Sequence, residues 1–179
     1  MIRFLQQIAF CLIMCSCTSN LGAQKFMSRN VEVSFLSETQ IENIEAQNNQ
    51  ASSLLDASNG KIVFQVPIRG FHFEIALMEE HFNENYMESD EYPNATLQGQ
   101  IENWPDISNE VTVQGTLTIH GVETSRSFEG TMRQVDGNWI LTSKFSVNAE
   151  DFDIKIPSIV RKQIAEDIVI SVNATLNPR

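Results

Sequence analysis

The sequence predicts an all-β protein in which about eight antiparallel strands close into a barrel, with one short amphipathic helix. Three observations support this prediction. Apolar residues recur at every second position in several segments, Gly-containing turns separate some of these segments, and one stretch instead has apolar residues at steps of three and four. A length of 179 residues, 42% of them apolar, suits one domain with its own core.

The first 23 residues have the order of features typical of a secretory signal peptide. Arg3 supplies a positive charge, an apolar stretch runs from Ile8 to Cys17, and small residues precede Ala23. We expect cleavage after Ala23, which leaves residues 24–179 as one mature domain in the periplasm or outside the cell. As an alternative, Ser16-Cys17 could be a lipoprotein processing site, with an acylated Cys17 as a membrane anchor.

All three cysteines, Cys11, Cys15 and Cys17, lie within this first segment. The predicted mature domain therefore has no cysteine. This excludes a disulfide framework, a thiolate nucleophile and a cysteine-ligated metal from it.

The strands are predicted from alternation, because a strand with one buried face places every second side chain in the core. The turns Ser58-Asn59-Gly60 and Asp136-Gly137-Asn138 each precede such a segment, which is typical of hairpins. In chain order, the apolar faces are Val31, Val33 and Phe35; Ile62, Phe64, Val66 and Ile68; Leu97, Gly99 and Ile101; Val111, Val113, Gly115, Leu117 and Ile119; Phe128, Gly130 and Met132; Trp139, Leu141, Ser143, Phe145 and Val147; and Ile168, Ile170, Val172, Ala174 and Leu176.

Three segments need a separate interpretation. Within Thr39–Asp56, we predict one strand through Ile44–Gln47 and another through Ala51–Leu55. The segment Ile75–Met87 has helical spacing and predicts an amphipathic helix of about three turns. Pro157–Ala165 predicts a second, shorter helical turn.

A sheet built from these strands would leave unpaired edges unless it closes into a barrel. An eight-stranded barrel is just wide enough for one slender ligand or for a filling of its own side chains. Gly99, Gly115 and Gly130 lie inside predicted strands and indicate bends or close approaches, which fit either interior.

Three runs of sequence resemble the YceI-like family. They are residues 115–122 (GTLTIHGV), residues 83–93 (NENYMESDEYP) with Ala95-Thr96 and Gly99 after them, and residues 145–154 (FSVNAEDFDI) with the apolar strand near Ile168–Ile170. The resemblance covers about Asn30 to Leu176. It implies an extended, eight-stranded, lipocalin-like antiparallel β-barrel that is exported and holds an isoprenoid lipid, such as a quinone or a polyprenyl lipid. The polar, Gly-free segment Ser37–Asp56 departs from the family pattern, which leaves the cavity entrance and the ligand open.

The candidate ligand-binding residues are those on inward strand faces and on the apolar stripe of the predicted helix. The strand residues would line a tube and the helix would close one end of it. The alternative is that the same side chains only fill a solid core. The candidates are Ile62, Phe64, Val66, Met78, Phe82, Tyr86, Leu97, Ile101, Val113, Leu117, Phe145 and Val147.

The net charge of the chain limits the classes of partner that it is expected to bind. Asp and Glu number 23 against 12 Lys and Arg, which gives a formal net charge of −11, and the longest basic cluster is Arg161-Lys162. Nucleic acids attract clusters of Lys and Arg, so we expect no nucleic-acid partner. The resemblance to the YceI-like family, and not the charge, implies an isoprenoid lipid or quinone as the ligand, and it allows peripheral contact with a membrane.

The polar residues form no recognisable catalytic or metal-binding motif. His72, His81 and Glu84 lack the spacing of known metal motifs, and no serine has a nucleophile-elbow context. We therefore predict a binding protein with no enzymatic activity, cofactor or metal. Two alternatives stay open: an exported enzyme that uses His81 or Asp153 on a hydrophobic substrate in the same cavity, and a solid barrel used for protein interaction.

Overall fold

The computed structural model describes residues 25–179, which form nine strands and one short helical segment. The predicted signal peptide and the acylation alternative at Cys17 lie outside the described residues. The strands are β1 Lys25–Glu38, β2 Asn43–Asp56, β3 Lys61–Pro67, β4 Phe71–Phe73, β5 Asn94–Ile101, β6 Glu110–Ile119, β7 Val122–Val135, β8 Asn138–Asn148 and β9 Asp167–Pro178. Helix α1 spans Ala76–His81 and continues into a π-helical turn at Phe82–Tyr86, and 3₁₀ turns span Ile68–Gly70 and Ala149–Phe152.

Eight of the strands form a closed antiparallel barrel, which confirms the predicted fold class. The order around the sheet is β1-β9-β8-β7-β6-β5-β3-β2, and β2 pairs again with β1 to complete the ring. The short strand β4 pairs with the first half of β2, whereas β3 pairs with its second half. β3 and β4 therefore occupy one position in the wall in succession, separated by the 3₁₀ turn.

The barrel has two unlike ends. The short turns at residues 57–60 and 136–137 and the loop at residues 102–109 lie at what we call the closed end. The turns at residues 39–42 and 120–121, the segment from β4 to β5 and the segment from β8 to β9 lie at the opposite, open end. Among the described residues, no helix combines the length and the hydropathy that crossing a bilayer requires.

Two hairpin turns follow directly from their sequence. His120-Gly121 joins β6 to β7, and Asp136-Gly137 joins β7 to β8, with positive φ at both residues of each pair. That is the pattern of a type I′ turn, whose twist matches the flanking strands and which favours Gly at its second position.

The segment Asn43–Asp56 is one strand, so the prediction of two separate strands within it was wrong. The polar residues between the predicted strands stay in the wall because Asn48, fully buried, satisfies the local backbone. Its amide nitrogen donates to the Pro67 carbonyl at 2.7 Å, and its amide oxygen accepts from the Gln50 N–H at 2.8 Å. The register of β1 against β2 shifts beside this point, between Ser28 and Val33.

The predicted helical turn at Pro157–Ala165 was also wrong, because these residues form a succession of turns. The Val160 N–H donates to the Pro157 carbonyl and the Gln163 N–H donates to the Val160 carbonyl, both over three residues. The Ala165 N–H donates to Ser37 Oγ at 2.8 Å, which ties this segment to β1 at the open end.

Glycine permits a close approach of β5 and β6. Gly99 and Gly115 lie directly opposite each other. A Cβ on Gly115 would lie 2.7 Å from the Gln98 carbonyl oxygen and 2.9 Å from Gly99 Cα. Any side chain at this position would therefore push the two strands apart.

The turn after β2 allows a pH-dependent prediction. The carboxylate of Asp56 accepts hydrogen bonds from the hydroxyl and the backbone N–H of Ser58, and these bonds lower the pKa of Asp56 below its ordinary value of 3.8. Because the folded pKa is depressed, this turn is stabilised above the unfolded pKa and loses that stabilisation as pH falls through the folded pKa. We expect Ser58→Ala to raise the pKa of Asp56, as measured by NMR titration of its side-chain carboxyl. Ser158→Ala, at the open end, should leave that pKa unchanged.

Candidate ligand-binding cavity

The interior of the barrel contains two adjoining chambers. The inner chamber, of about 180 Å³, is enclosed by inward side chains from the strands. The outer chamber, of about 210 Å³, lies at the open end between β1, β2, the helical segment and residues 154–164. Six residues line both chambers, so the two adjoin: Phe35, Phe82, Met87, Ala149, Ile154 and Ile168.

Alternation along the strands makes the inner chamber apolar. Phe64 and Val66 on β3, Leu97 on β5, and Val113 and Leu117 on β6 all face it. Glu129 also contributes to its wall, but its neighbours Phe128 and Gly130 face inward and Glu129 itself is exposed, so its carboxylate lies outside. No Lys or Arg among the described residues is part of the lining of either chamber, but Arg126 lies on the inward face of β7, opposite Gly115, and its Nη1 is buried without a hydrogen-bond partner.

The closed end of the barrel is solidly packed. Trp104, from the loop after β5, donates its indole N–H to the Ala57 carbonyl at 2.9 Å. Its ring lies 5.4 Å from that of Trp139, which in turn packs edge-on against Phe26. Side chains no more than 2% exposed fill this end: Phe26, Leu55, Ile62, Ile101, Met132 and Leu176.

Four phenylalanines form a cluster where the inner chamber meets the outer one. Phe82, on the π-helical turn, lies 5.1–5.7 Å from the rings of Phe35, Phe71 and Phe73. Phe35 contacts Phe71 and Phe73 at similar distances. This cluster packs the helical segment against the barrel and lies at the boundary between the chambers.

Ten of the twelve candidate residues line one or both chambers. Phe64, Val66, Leu97, Val113, Leu117, Phe145 and Val147 line the inner chamber, Met78 and Tyr86 line the outer chamber, and Phe82 lines both. Ile62 and Ile101 lie in the packed closed end instead, where Trp104 and Trp139 also pack against the core. Contact of the ten lining residues with a ligand stays a prediction.

The candidate list omitted several lining residues. Val33, Phe35 and Phe128 follow the same alternation as the chosen residues, as do Ile170 and Val172, so the strand pattern already marked them as inward. Met87 and Ile154 belong to irregular segments, where alternation gives no signal.

The polar residues of the outer chamber are Ser37, Glu42, His81, Tyr86 and Gln163. The Ser37 hydroxyl is engaged by the Ala165 N–H. The other four provide a carboxylate, an imidazole, a phenol and an amide. This chamber can therefore hydrogen-bond a polar group, although it offers no Lys or Arg side chain to neutralise an anion.

The residues of the catalytic alternative are not assembled into a site. His81 lines the outer chamber, but Asp153 is exposed and lines neither chamber. Asp151 lies in the 3₁₀ turn after β8, and Asp153, with φ of 54°, ends it. Within residues 25–179, no group of three His, Cys, Asp or Glu side chains could hold a metal ion.

A family model for the YceI-like domain matches residues 18–176. The chain belongs to the YceI-like family. Its fold is similar to that of Burkholderia cenocepacia BcnA, with a TM-score of 0.71, 18% identity, and coverage of 82% of this chain and 95% of BcnA.

Two further solved structures resemble this YceI-like barrel. One is a polyisoprenoid binding domain from Saccharophagus degradans implicated in plant cell wall breakdown, with a TM-score of 0.73, 12% identity, and coverage of 88% of this chain and 99% of that domain. The other is a Campylobacter jejuni YCEI protein, with a TM-score of 0.64, 16% identity, and coverage of 79% and 88%. At these identities the likeness establishes the fold. A comparison with curated proteins gave no match.

The residues that carried the resemblance meet at the open end of this YceI-like domain. His120, in the turn of the GTLTIHGV run, places Nε2 2.8 Å from a Glu88 carboxylate oxygen and Nδ1 3.2 Å from the Phe152 carbonyl oxygen. Its ring lies 4.4 Å from that of Tyr92. The three runs therefore hold the β6–β7 turn, the loop before β5 and the 3₁₀ turn together.

The segment Ser37–Asp56, where the sequence departs from the family pattern, forms part of the entrance. Ser37, Glu42 and Ile44 all line the outer chamber. The unusual sequence therefore forms part of the wall of the outer chamber.

Proposed function

We propose that the domain is an exported carrier or reservoir for a lipid with a long isoprenoid chain, which it binds in the two chambers. The observation that carries this proposal is the largely apolar lining of the inner chamber, which adjoins the outer chamber at the open end. The polyisoprenoid binding domain from Saccharophagus degradans, which has the same fold, supports an isoprenoid chain as the ligand.

The chambers suit a slender tail. Pockets for drug-sized ligands typically measure about 300–1,000 Å³, and each chamber here is smaller. A long chain would therefore place its tail in the inner chamber and extend through the outer one. Such a tail starts in a membrane, where it is already out of water, so transfer gains little hydrophobic free energy. This small gain in free energy favours a reversible carrier or reservoir over a receptor that binds the lipid tightly.

The polar head of the ligand is expected to be uncharged, as in a quinone. Glu42 adds a negative charge to the outer chamber, and the described lining of that chamber has no Lys or Arg to offset a phosphate. Arg126 lies further from the open end, on the inward face of β7. Tyr86, His81 and Gln163 can instead donate hydrogen bonds to carbonyl oxygens.

We propose a binding protein rather than an enzyme. The family assignment and the apolar inner chamber favour binding, and His81 is the single residue of the catalytic alternative that lines a chamber. Export through the predicted signal peptide, to the periplasm or the medium, completes the proposal, with the Cys17 anchor as the alternative. Delivery of the lipid would require peripheral contact with a membrane.

Mass spectrometry of the exported protein, purified without detergent, tests the proposal directly. We expect an isoprenoid lipid to co-purify, and we expect the emptied protein to take up such a lipid from vesicles. A protein that carries no lipid and takes none up from vesicles or detergent would contradict the proposal.

The head-group prediction can be tested by competition between two lipids with the same isoprenoid chain. We expect a quinone to be bound at least about five-fold more strongly than a polyprenyl phosphate, because a like charge within a few ångströms costs on the order of 1 kcal/mol or more. Glu42→Gln should reduce this preference, whereas Glu38→Gln, at an exposed position on β1, should preserve it. Equal binding of the two lipids by the wild-type protein would contradict the prediction.

A further inference from the structure

The exposed large apolar side chains are concentrated at the open end. Four of the five among residues 25–179 lie there: Ile41 is 61% exposed, Ile75 50%, Leu77 56% and Ile159 89%. The fifth, Val63, is 41% exposed and lies on the outer face of β3 in the barrel wall. Moving an exposed Ile or Leu side chain from water into an apolar phase lowers the free energy. A cluster of such side chains at one end therefore indicates an interaction surface.

Three of these residues border the entrance to the cavity. Ile41, Leu77 and Ile159 each directly precede a residue that lines the outer chamber, namely Glu42, Met78 and Val160. They come from three separate segments: the β1–β2 turn, α1 and the turns between β8 and β9. Together with Ile75, they form an apolar rim around the opening.

The part of the rim around Ile159 is also basic. Lys155 and Lys162 are exposed on either side of Ile159, and within the described part of the chain neither forms an ion pair. The neighbouring Arg161 pairs with Glu150. Three of the 12 Lys and Arg residues of the chain thus lie within residues 155–162, a short basic stretch that exposed carboxylates flank on both sides, at Asp153 and Glu166. Amphipathic basic segments of this kind suit phospholipid surfaces, where Lys meets phosphate and the apolar side chain enters the acyl boundary.

The helix side of the rim has the opposite charge. Glu74 and Glu80 are exposed beside Ile75 and Leu77, so this side repels anionic head groups and can contribute apolar contact only. The net charge of −11 further limits electrostatic attraction. Contact with a membrane would therefore be weak, reversible and directed by Ile159, Lys155 and Lys162.

We infer that the rim docks the domain on a phospholipid bilayer, with the entrance of the cavity facing the membrane. The inference rests on the proposed lipid-binding function. Docking in this orientation lets an isoprenoid tail pass between the bilayer and the chambers without crossing water. Ile41, Leu77 and Ile159 enter the interface, and Lys155 and Lys162 contact lipid phosphates.

The test compares Leu77→Ser/Ile159→Ser with the matched control Val63→Ser, which removes an exposed apolar side chain away from the rim. All proteins carry Cys17→Ser, so that no acyl anchor contributes. Sedimentation with vesicles of phosphatidylcholine, with and without phosphatidylglycerol, measures partitioning, and transfer of a fluorescent quinone measures exchange. We expect the double variant to lose on the order of ten-fold or more in partitioning and in transfer rate. Val63→Ser should behave as wild type, and Lys155→Gln/Lys162→Gln should lose only the gain due to phosphatidylglycerol.

Two further measurements separate the possible failures. Loading of the fluorescent quinone from detergent micelles, together with thermal unfolding, reports whether each variant folds and binds. Normal loading with equal vesicle partitioning in the double variant and the control overturns the docking surface and leaves the proposed function intact. Absence of loading in the wild-type protein overturns the proposed function itself. A concentration-dependent dimer that is abolished by the double variant, without vesicle binding, assigns the rim to self-association and overturns bilayer docking.

Discussion

Val66→Trp is expected to lower the amount of bound lipid by about ten-fold or more, because overpacking a filled cavity costs about 1–3 kcal/mol. Val66 faces the inner chamber opposite Ala95, whose small side chain leaves space for the new ring. In the empty protein the indole would occupy part of the chamber, so we expect little loss of thermal stability. Lipid loading from detergent micelles, quantified by mass spectrometry, measures the effect.

Val63→Trp is the matched control for this experiment. Val63 lies on the same strand, three residues earlier, but its side chain is on the outer face and 41% exposed. The same increase in volume there should leave lipid loading unchanged. If both variants load as wild type, the inner chamber does not hold the lipid; if both fail, the substitution acts on the strand and not on the cavity.

The success of the fold prediction has a simple physical origin. Alternation identifies which face of a strand is buried, and the Gly-containing turns at residues 120–121 and 136–137 determine which strands are neighbours. Eight strands of this kind without a protected edge are expected to close, and β1 closes the ring by pairing with β2 and β9. The resemblance to the YceI-like family independently implied the same barrel.

Position along the barrel axis was much harder to predict. Ile62 and Val66 share the inward face of β3, yet Ile62 is fully buried in the closed end and Val66 lines a chamber. The difference is that Trp104 and Trp139, which belong to other parts of the chain, pack together in the closed end. Alternation along a strand shows which face a side chain lies on, but it does not show the position of that side chain along the barrel axis. It therefore gives no indication of the packed end.

The entrance was hard to predict for a related reason. Residues 154–166 follow turn geometry determined by contacts such as the bond from the Ala165 N–H to Ser37 Oγ, over a long sequence separation. Similarly, the buried amide of Asn48 keeps β2 continuous through a polar stretch by bonding to Pro67 and Gln50. Both features involve hydrogen bonds between residues far apart in sequence, and apolar periodicity gives no indication of them.

Because the closed end is packed and the middle of the barrel is hollow, a Leu→Ala substitution should cost more stability at the closed end than in the inner chamber. Leu55 is fully buried in the closed end, whereas Leu117 is 6% exposed and lines the inner chamber. Leu55→Ala should destabilise the protein by roughly 3–5 kcal/mol, since it removes contacts on all sides and leaves a cavity. Leu117→Ala should cost less, about 2 kcal/mol, since the side chain already faces empty space and loses fewer contacts.

Thermal and denaturant unfolding of the emptied proteins measure this difference, which corresponds to about 2–4 °C in Tm for each kcal/mol in a domain of this size. The effects of the two substitutions on lipid loading should have the opposite order to their effects on stability. Leu117→Ala should change the amount or chain length of the lipid bound, whereas folded Leu55→Ala should load as wild type. Equal destabilisation by the two substitutions would mean that the middle of the barrel is as densely packed as its closed end. A slender hydrocarbon would then have no place to bind, although the order of the strands would be unaffected.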